Sequence, residues 1–243
     1  TVTGWGKEKL HNLKLNQYIR EEGPKNHFSK EGTPTLGGIF IVPIGLILGI
    51  LPALNSSNLI ELLSLGFLVT GFFLIGVLDD LISLRQKRNK GFSARLKLIF
   101  QSLISLLFVF ILYLNGLITS KIVLFNLNYI DIGIFIYPLL IFVLLAESNA
   151  TNLTDGLDGL ASGTGALVFT GLAIQLLFRN NIDSNDIAVA NFCITMSGCW
   201  LGFLIHNKNP AKIFMGDAGS LAMGAALGGV AIISNSLWAL FLM

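Results

Sequence analysis

The feature that most constrains this chain is a succession of apolar stretches, each close to the thickness of a bilayer's hydrocarbon core. A helix rises about 1.5 Å per residue, so crossing a core about 30 Å thick takes about 20 apolar residues. Leu36 to Leu54, Leu160 to Phe178 and Ile187 to Ile205 carry no charge, and Ala218 to Met243 is a further uncharged run. Leu59 to Leu78 carries only Glu61, near its start, and Leu98 to Leu114 is uncharged but short. Ile130 to Ala146 is shorter and begins with Asp131, which suits a half-length or tilted segment. These seven stretches predict an all-α, polytopic transmembrane helix bundle, a single unit over residues 1–243 in which residues 1–35 form a basic leader. Pro43, Pro52 and Pro138 are tolerated in such spans, where neighbouring helices satisfy the freed carbonyls.

Composition agrees with lipid as the solvent: 53% of residues are hydrophobic and 12% charged, against about 25% charged in soluble domains. A net charge of +2 gives no footprint for nucleic acid. Cys193 and Cys199 lie six apart in one apolar stretch and read as packing residues rather than a disulfide or metal pair. The first thirty residues are polar and basic, with no apolar core of the kind a signal peptide has.

The distribution of charge says more than its total. Lys7, Lys9, Lys14, Arg20, Lys25 and Lys30 precede the first span, and Arg85, Lys87, Arg88, Lys90, Arg95 and Lys97 follow the second. With Lys208 and Lys212 after the sixth span, fourteen of sixteen basic residues share one side, leaving Lys121 and Arg179 on the other. The positive-inside rule makes the crowded face cytoplasmic. Asp79, Asp80, Asp155, Asp158 and Asp217 fall on that same face, although none of them was used to fix it.

Asp79 and Asp80 close an apolar run where a helix meets the interface, and adjacent carboxylates there repel unless a cation or base lies near. A solvated helix end is the plain alternative. Asn152, Asp155 and Asp158 recur at steps of three, which on a helix forms one polar stripe, with a polar turn as the alternative. Gly156 and Gly159 allow a ligand close to the backbone there. Asp217, in Phe214-Met215-Gly216-Asp217-Ala218-Gly219-Ser220, suits an N-cap of the last helix, and a helix N-terminus there facing an anionic ligand also suits phosphate binding. In the Gly- and Pro-punctuated leader, Lys30 and Thr35 offer an ammonium and a hydroxyl to a phosphate, while lipid-surface anchoring is the plainer account of its basic residues taken alone. So many acids and bases at one interface fit a polyanionic substrate held through a metal, with Mg²⁺ as the hard, oxygen-seeking candidate. His11, His27 and His206 are too dispersed for zinc.

At these residues the chain resembles the phospho-N-acetylmuramoyl-pentapeptide transferases of the polyprenyl-phosphate N-acetylhexosamine-1-phosphate transferase superfamily. The resemblance is carried in order by Glu22-Gly23-Pro24 with His27, the run Lys30 to Gly38, Gly76-Val77-Leu78-Asp79-Asp80, the basic loop ending at Lys97, Asn152 to Ala161, and Asn207 to Ser220. It implies transfer of phospho-MurNAc-pentapeptide from UDP-MurNAc-pentapeptide to undecaprenyl phosphate, a membrane lipid, forming lipid I and UMP in peptidoglycan synthesis with Mg²⁺ as cofactor. It further implies Asp79 and Asp80 as the catalytic pair and Asp217 as the metal ligand. Lys30, Thr35, Lys97, Asn152, Asp155, Asp158 and Asn207 are then expected to line the substrate site, and Phe214 to stack on the uracil. A homodimer is the family expectation. The family also has a span before the basic leader, and a His-rich loop with further spans after the region matched here, so the chain is expected to be a fragment. The competing readings are a sibling transferase using UDP-N-acetylglucosamine and a cation transporter, although transporter sites lie nearer the midplane of broken helices. Direct attack by the lipid phosphate and a two-step route through a phosphorylated Asp79 or Asp80 both fit this pattern.

Overall fold

A computed structural model describes residues 2–12, 33–54, 58–86, 91–123 and 129–240. Its helices are α1 (Val2–Asn12), α2 (Gly38–Ile50), α3 (Leu59–Gln86), α4 (Ala94–Leu114), α5 (Ile136–Thr154), α6 (Leu160–Leu177), α7 (Ser184–Asn207), α8 (Gly216–Ile233) and α9 (Leu237–Leu240). Strands β1 (Lys121–Val123) and β2 (Tyr129–Asp131) pair antiparallel between α4 and α5, with Lys121 opposite Asp131. Six of the helices are long and apolar enough to cross a membrane, namely α3, α4, α5 with the turn before it, α6, α7 and α8. The α2 segment, Gly38–Ala53, is shorter than a full span. The polytopic helical bundle expected from the sequence is therefore what the chain forms.

The helices surround α8. From Ala218 to Ile233 every residue of α8 is buried, and α2, α3, α5 and α6 all pack on it, with α7 packing on α2 and α6 and α4 on α3 and α5. Small side chains make this possible, since Gly, Ala and Ser let helix backbones approach closely where no water drives association. Gly76 of α3 is the clearest case: a Cβ there would run into the backbone of Asp217 and Ala218. The outer faces carry Leu103, Phe110, Phe142, Leu167 and Ile194, all exposed. In water such a surface would aggregate, whereas in lipid it is the natural exterior.

Four boundaries differ from the sequence expectation. Asp79 and Asp80 do not end a helix, because α3 continues through Leu81 to Gln86. The segment expected from Ile130 opens as β2, and its helix runs on to Thr154 and so takes in Asn152. That helix stops before Asp155, so Asn152, Asp155 and Asp158 do not form one helical stripe. The uncharged run from Ala218 breaks after Ile233, where Asn235 takes a left-handed conformation (φ 51°). Arg179 holds that break: its guanidinium donates to the Ser234 carbonyl at 2.6 Å and the Ser236 hydroxyl at 2.7 Å, and pairs with Asp186 at 2.6 Å.

Candidate active site

The N-terminal end of α8 organises the charged residues. Gly216 has φ +74°, a conformation that favours glycine, and a Cβ at this position would collide with the Asp80 carboxylate and crowd the Thr35 hydroxyl. The chain enters α8 there with its first N–H groups unpaired, as at any helix start. Asp80 answers them: Oδ1 accepts from Asp217 N at 3.1 Å and Oδ2 from Ala218 N at 3.0 Å. The N-cap position itself is Met215, which makes no side-chain cap. Asp217 is thus not the cap of its helix, and its carboxylate is free to point elsewhere.

That carboxylate meets residues from three other helices. Lys97, in the first turns of α4, places Nζ 2.6 Å from Asp217 Oδ2 and 3.2 Å from Asp79 Oδ2. Asn152, near the end of α5, donates Nδ2 to Asp217 Oδ1 at 2.8 Å and to the Ser220 hydroxyl at 2.8 Å. Asp79 is buried, and its Oδ1 accepts the Phe92 backbone N–H at 2.7 Å from the turn before α4. Two carboxylates therefore share one ammonium between α3, α4 and α8, the arrangement that relieves repulsion between acids drawn from water. Ser220 was not singled out from the sequence, although it stands three residues beyond Asp217 on the same helical face and is fully buried.

The turn from α5 to α6 completes this end. Asp155 caps the end of α5 and is half-buried. Its carboxyl is pushed well above the usual carboxylate range, first by burial and then by the negative charges of Asp217, Asp80 and Asp158. Asp158 faces the turn after α7, where Oδ2 accepts the Ala211 N–H at 3.1 Å. Asn207 is buried and acts as a clip: Oδ1 accepts from Ser162 Oγ at 2.8 Å and Gly159 N at 3.2 Å, and Nδ2 donates to the Ile213 carbonyl at 2.9 Å. Phe214 is tied through its backbone to the end of the leader, its N–H donating to the Pro34 carbonyl at 2.8 Å and its carbonyl accepting from Gly37 N at 2.9 Å. Thr35 is buried beside Gly216. Lys30 lies outside the described residues, as does the leader stretch with Glu22-Gly23-Pro24 and His27.

The structure thus brings Asp79, Asp80, Lys97, Asn152 and Asp217 into one bonded group, sets Thr35 and Asp155 beside it, and places Asp158, Asn207 and Phe214 in the turns that frame it. Among the described residues no three Asp, Glu, His or Cys side chains form a ready-made metal cage. Two carboxylates that converge on one cation do suit a hard ion that takes its remaining ligands from water and substrate oxygens.

An apolar bundle that buries carboxylates, an ammonium and an amide at one end defines a polytopic membrane protein with a polar cluster at its helix ends. The chain belongs to glycosyl transferase family 4, whose model matches residues 62–235. Along its whole length it is 53% identical to the phospho-N-acetylmuramoyl-pentapeptide-transferase of Prochlorococcus marinus. Proteins of the same name from a Synechococcus species and from Synechococcus elongatus are 57% and 45% identical over 96% and 98% of the chain. The chain spans about 65% of the length of these relatives.

Proposed function

We propose that this chain carries the catalytic core of a phospho-N-acetylmuramoyl-pentapeptide transferase, which moves phospho-MurNAc-pentapeptide from its UDP donor to undecaprenyl phosphate and releases UMP. The observation that carries the reading is the Lys97 ammonium held between Asp79 and Asp217 at 3.2 and 2.6 Å, at the end to which loop parity in the sequence assigns most basic residues. Identity of 53% to a relative of that name supplies the substrate class. The same reading sets this end at the cytoplasmic face of a bacterial plasma membrane. A second copy as homodimer partner belongs to the reading of the whole protein.

The acceptor needs little activation. A phosphate monoester has its second pKa near ~6 and is largely dianionic at neutral pH. Its oxygen attacks the sugar-linked phosphorus, a new P–O bond forms, and the bond to the UMP oxygen breaks. The difficulty is to bring two anions together and to offset charge growing on the departing UMP. Lys97 supplies one positive charge at this point. Mg²⁺ suits the donor set; Asp217 would hold it with Asp79 facing the same point, and when bound it would neutralise charge on the diphosphate. Asn152 orients Asp217 by its bond to Oδ1. Both oxygens of Asp80 accept backbone N–H groups of α8, whereas Asp79 gives Oδ1 to the Phe92 N–H and turns Oδ2 to the Lys97 ammonium, so in this reading Asp79 is the member of the pair that faces the reacting groups. Thr35 and Asp155 border the phosphates in this reading, Asp158 and Asn207 shape the turns around them, and Phe214 offers a ring to the uracil.

The test is incorporation of radiolabelled phospho-MurNAc-pentapeptide into undecaprenyl phosphate by the purified chain, with and without Mg²⁺, and with UDP-N-acetylglucosamine as a competing donor. Mg²⁺-dependent lipid product that resists the competitor and vanishes in Asp217→Ala is the expected result. Absence of product both from this chain and from a form extended to its relatives' full length would overturn the reading.

A further inference from the structure

Beneath the charged group lies a second contact between the same two helices, deeper in the bundle. Gln101 stands four residues past Lys97 on α4, and Asn149 three residues before Asn152 on α5. Both therefore sit on the faces that carry the site, one helical turn further into the membrane. Asn149 Nδ2 donates to Gln101 Oε1 at 2.8 Å and to the Leu145 carbonyl of its own helix at 2.8 Å. Gln101 is fully buried and its Nε2 has no partner; one turn on, Ser105 is fully buried with an unpartnered hydroxyl.

Amides inside a membrane bundle are unfavourable unless they bond across helices, and spare donors add to the penalty. Leucine would fill the Gln101 position without it. On the proposed reading of the site as a cation-assisted transferase, we infer that Gln101 is a positioning residue: through Asn149 it fixes the spacing of α4 and α5, from which Lys97 and Asn152 grip opposite oxygens of Asp217. The upper contact needs such a brace. Lys97 reaches Oδ2 from α4 and Asn152 reaches Oδ1 from α5, so a slide of one helix along the other breaks one grip or turns the carboxylate. The lower amide pair resists that slide because a hydrogen bond at 2.8 Å tolerates little displacement.

The experiment uses the purified chain with Mn²⁺ as the probe, bound ion being read by electron paramagnetic resonance, alongside the Mg²⁺ concentration for half-maximal transfer and the thermal unfolding midpoint. Gln101→Leu is expected to weaken Mn²⁺ binding about tenfold, the scale seen when partners of metal ligands are removed. Asn149→Leu should do the same, and the double variant no more than either alone. Gln101→Glu, which keeps an acceptor for Asn149, should return most of the affinity. Ser105→Ala removes a buried hydroxyl from the same face and should leave Mn²⁺ binding unchanged. The inference is overturned if Gln101→Leu binds Mn²⁺ like the parent, or if Gln101→Leu and Ser105→Ala weaken it alike with no rescue by Gln101→Glu. A parent chain that binds no Mn²⁺ removes the cation reading and the inference with it. A parent that binds Mn²⁺ but transfers no sugar phosphate refutes only the transferase reading, and the Mn²⁺ comparison still decides the role of Gln101.

Discussion

Asp80 on α3 holds the first turn of the helix that carries Asp217, its two carboxylate oxygens accepting the N–H groups of Asp217 and Ala218 at 3.1 and 3.0 Å. Adjacent in sequence, Asp79 and Asp80 thus do different work. Asp80→Ala is expected to lower unfolding stability by about 1 to 2 kcal/mol, as loss of a helix cap does, and to reduce transfer by displacing Asp217. Asp79→Asn keeps an oxygen for the Phe92 N–H and should leave the unfolding midpoint close to the parent's while slowing transfer at least about a hundredfold. Thermal unfolding in detergent beside turnover separates the two.

Removing the shared cation should be costly in stability as well as in activity. Lys97→Met leaves Asp79 and Asp217 facing each other with their ammonium gone. Breaking a buried pair from one side costs about 3 kcal/mol or more. Millimolar Mg²⁺ should recover part of that loss in the variant and change the parent less, a difference read directly from unfolding midpoints with and without the ion.

Asp155 gives a dependence on pH whose sign is fixed. Its folded-state carboxyl titrates well above the unfolded value, chiefly through burial, so the folded chain holds that proton more tightly than the unfolded chain. The stability it contributes is fully present below the unfolded pKa of about 3.9 and is lost as pH rises through the raised folded value. In chelator, the parent should therefore lose stability as pH rises from about 4 towards neutrality, and Asp155→Asn should flatten that decline. Unfolding midpoints across this range check it.

Asn207 was expected to line a substrate site, and its geometry makes it a clip between the start of α6 and the turn before α8. Asn207→Ala removes the partner of the Ile213 carbonyl and the shorter of the two bonds of the Ser162 hydroxyl and should cost about 1 to 3 kcal/mol. Its effect on donor KM should be small at temperatures where the variant stays folded, which steady-state kinetics well below the unfolding midpoint will show.

The reach of sequence reasoning can be traced through particular residues. Spans were legible because lipid demands long apolar runs, and the gathering of acids at one end followed from loop parity alone. Motif spacing marked Asp79, Asp80, Asn152 and Asp217 without saying how they divide the work. Asp80 as a cap for α8 was not legible, since its partners lie 137 and 138 residues away and are backbone groups. The β1–β2 hairpin escaped because strands three residues long leave no periodicity to read. The break at Ser234–Ser236 escaped because no proline or charge marks it, and what holds it is Arg179, far back in the chain. Gln101 gives no signal because a lone amide within an apolar span has no pattern around it, and Asn149 is hidden in the largely polar run Glu147 to Asn152.

The central helix α8 is made after α2, α3, α5 and α6, which pack on it. Until it threads into place, α2, α3, α5 and α6 surround a space that only its narrow, small-residue surface can fill, and Asp80 has no helix end to hold. Lys97 and Asp79 are both in the chain before α8 is made, but the grips on Asp217 and the bonds that Asp80 accepts close only when α8 enters. Any substitution that enlarges α8 should therefore act first as a fault of assembly, visible as less inserted protein, before it is seen as a fault of chemistry.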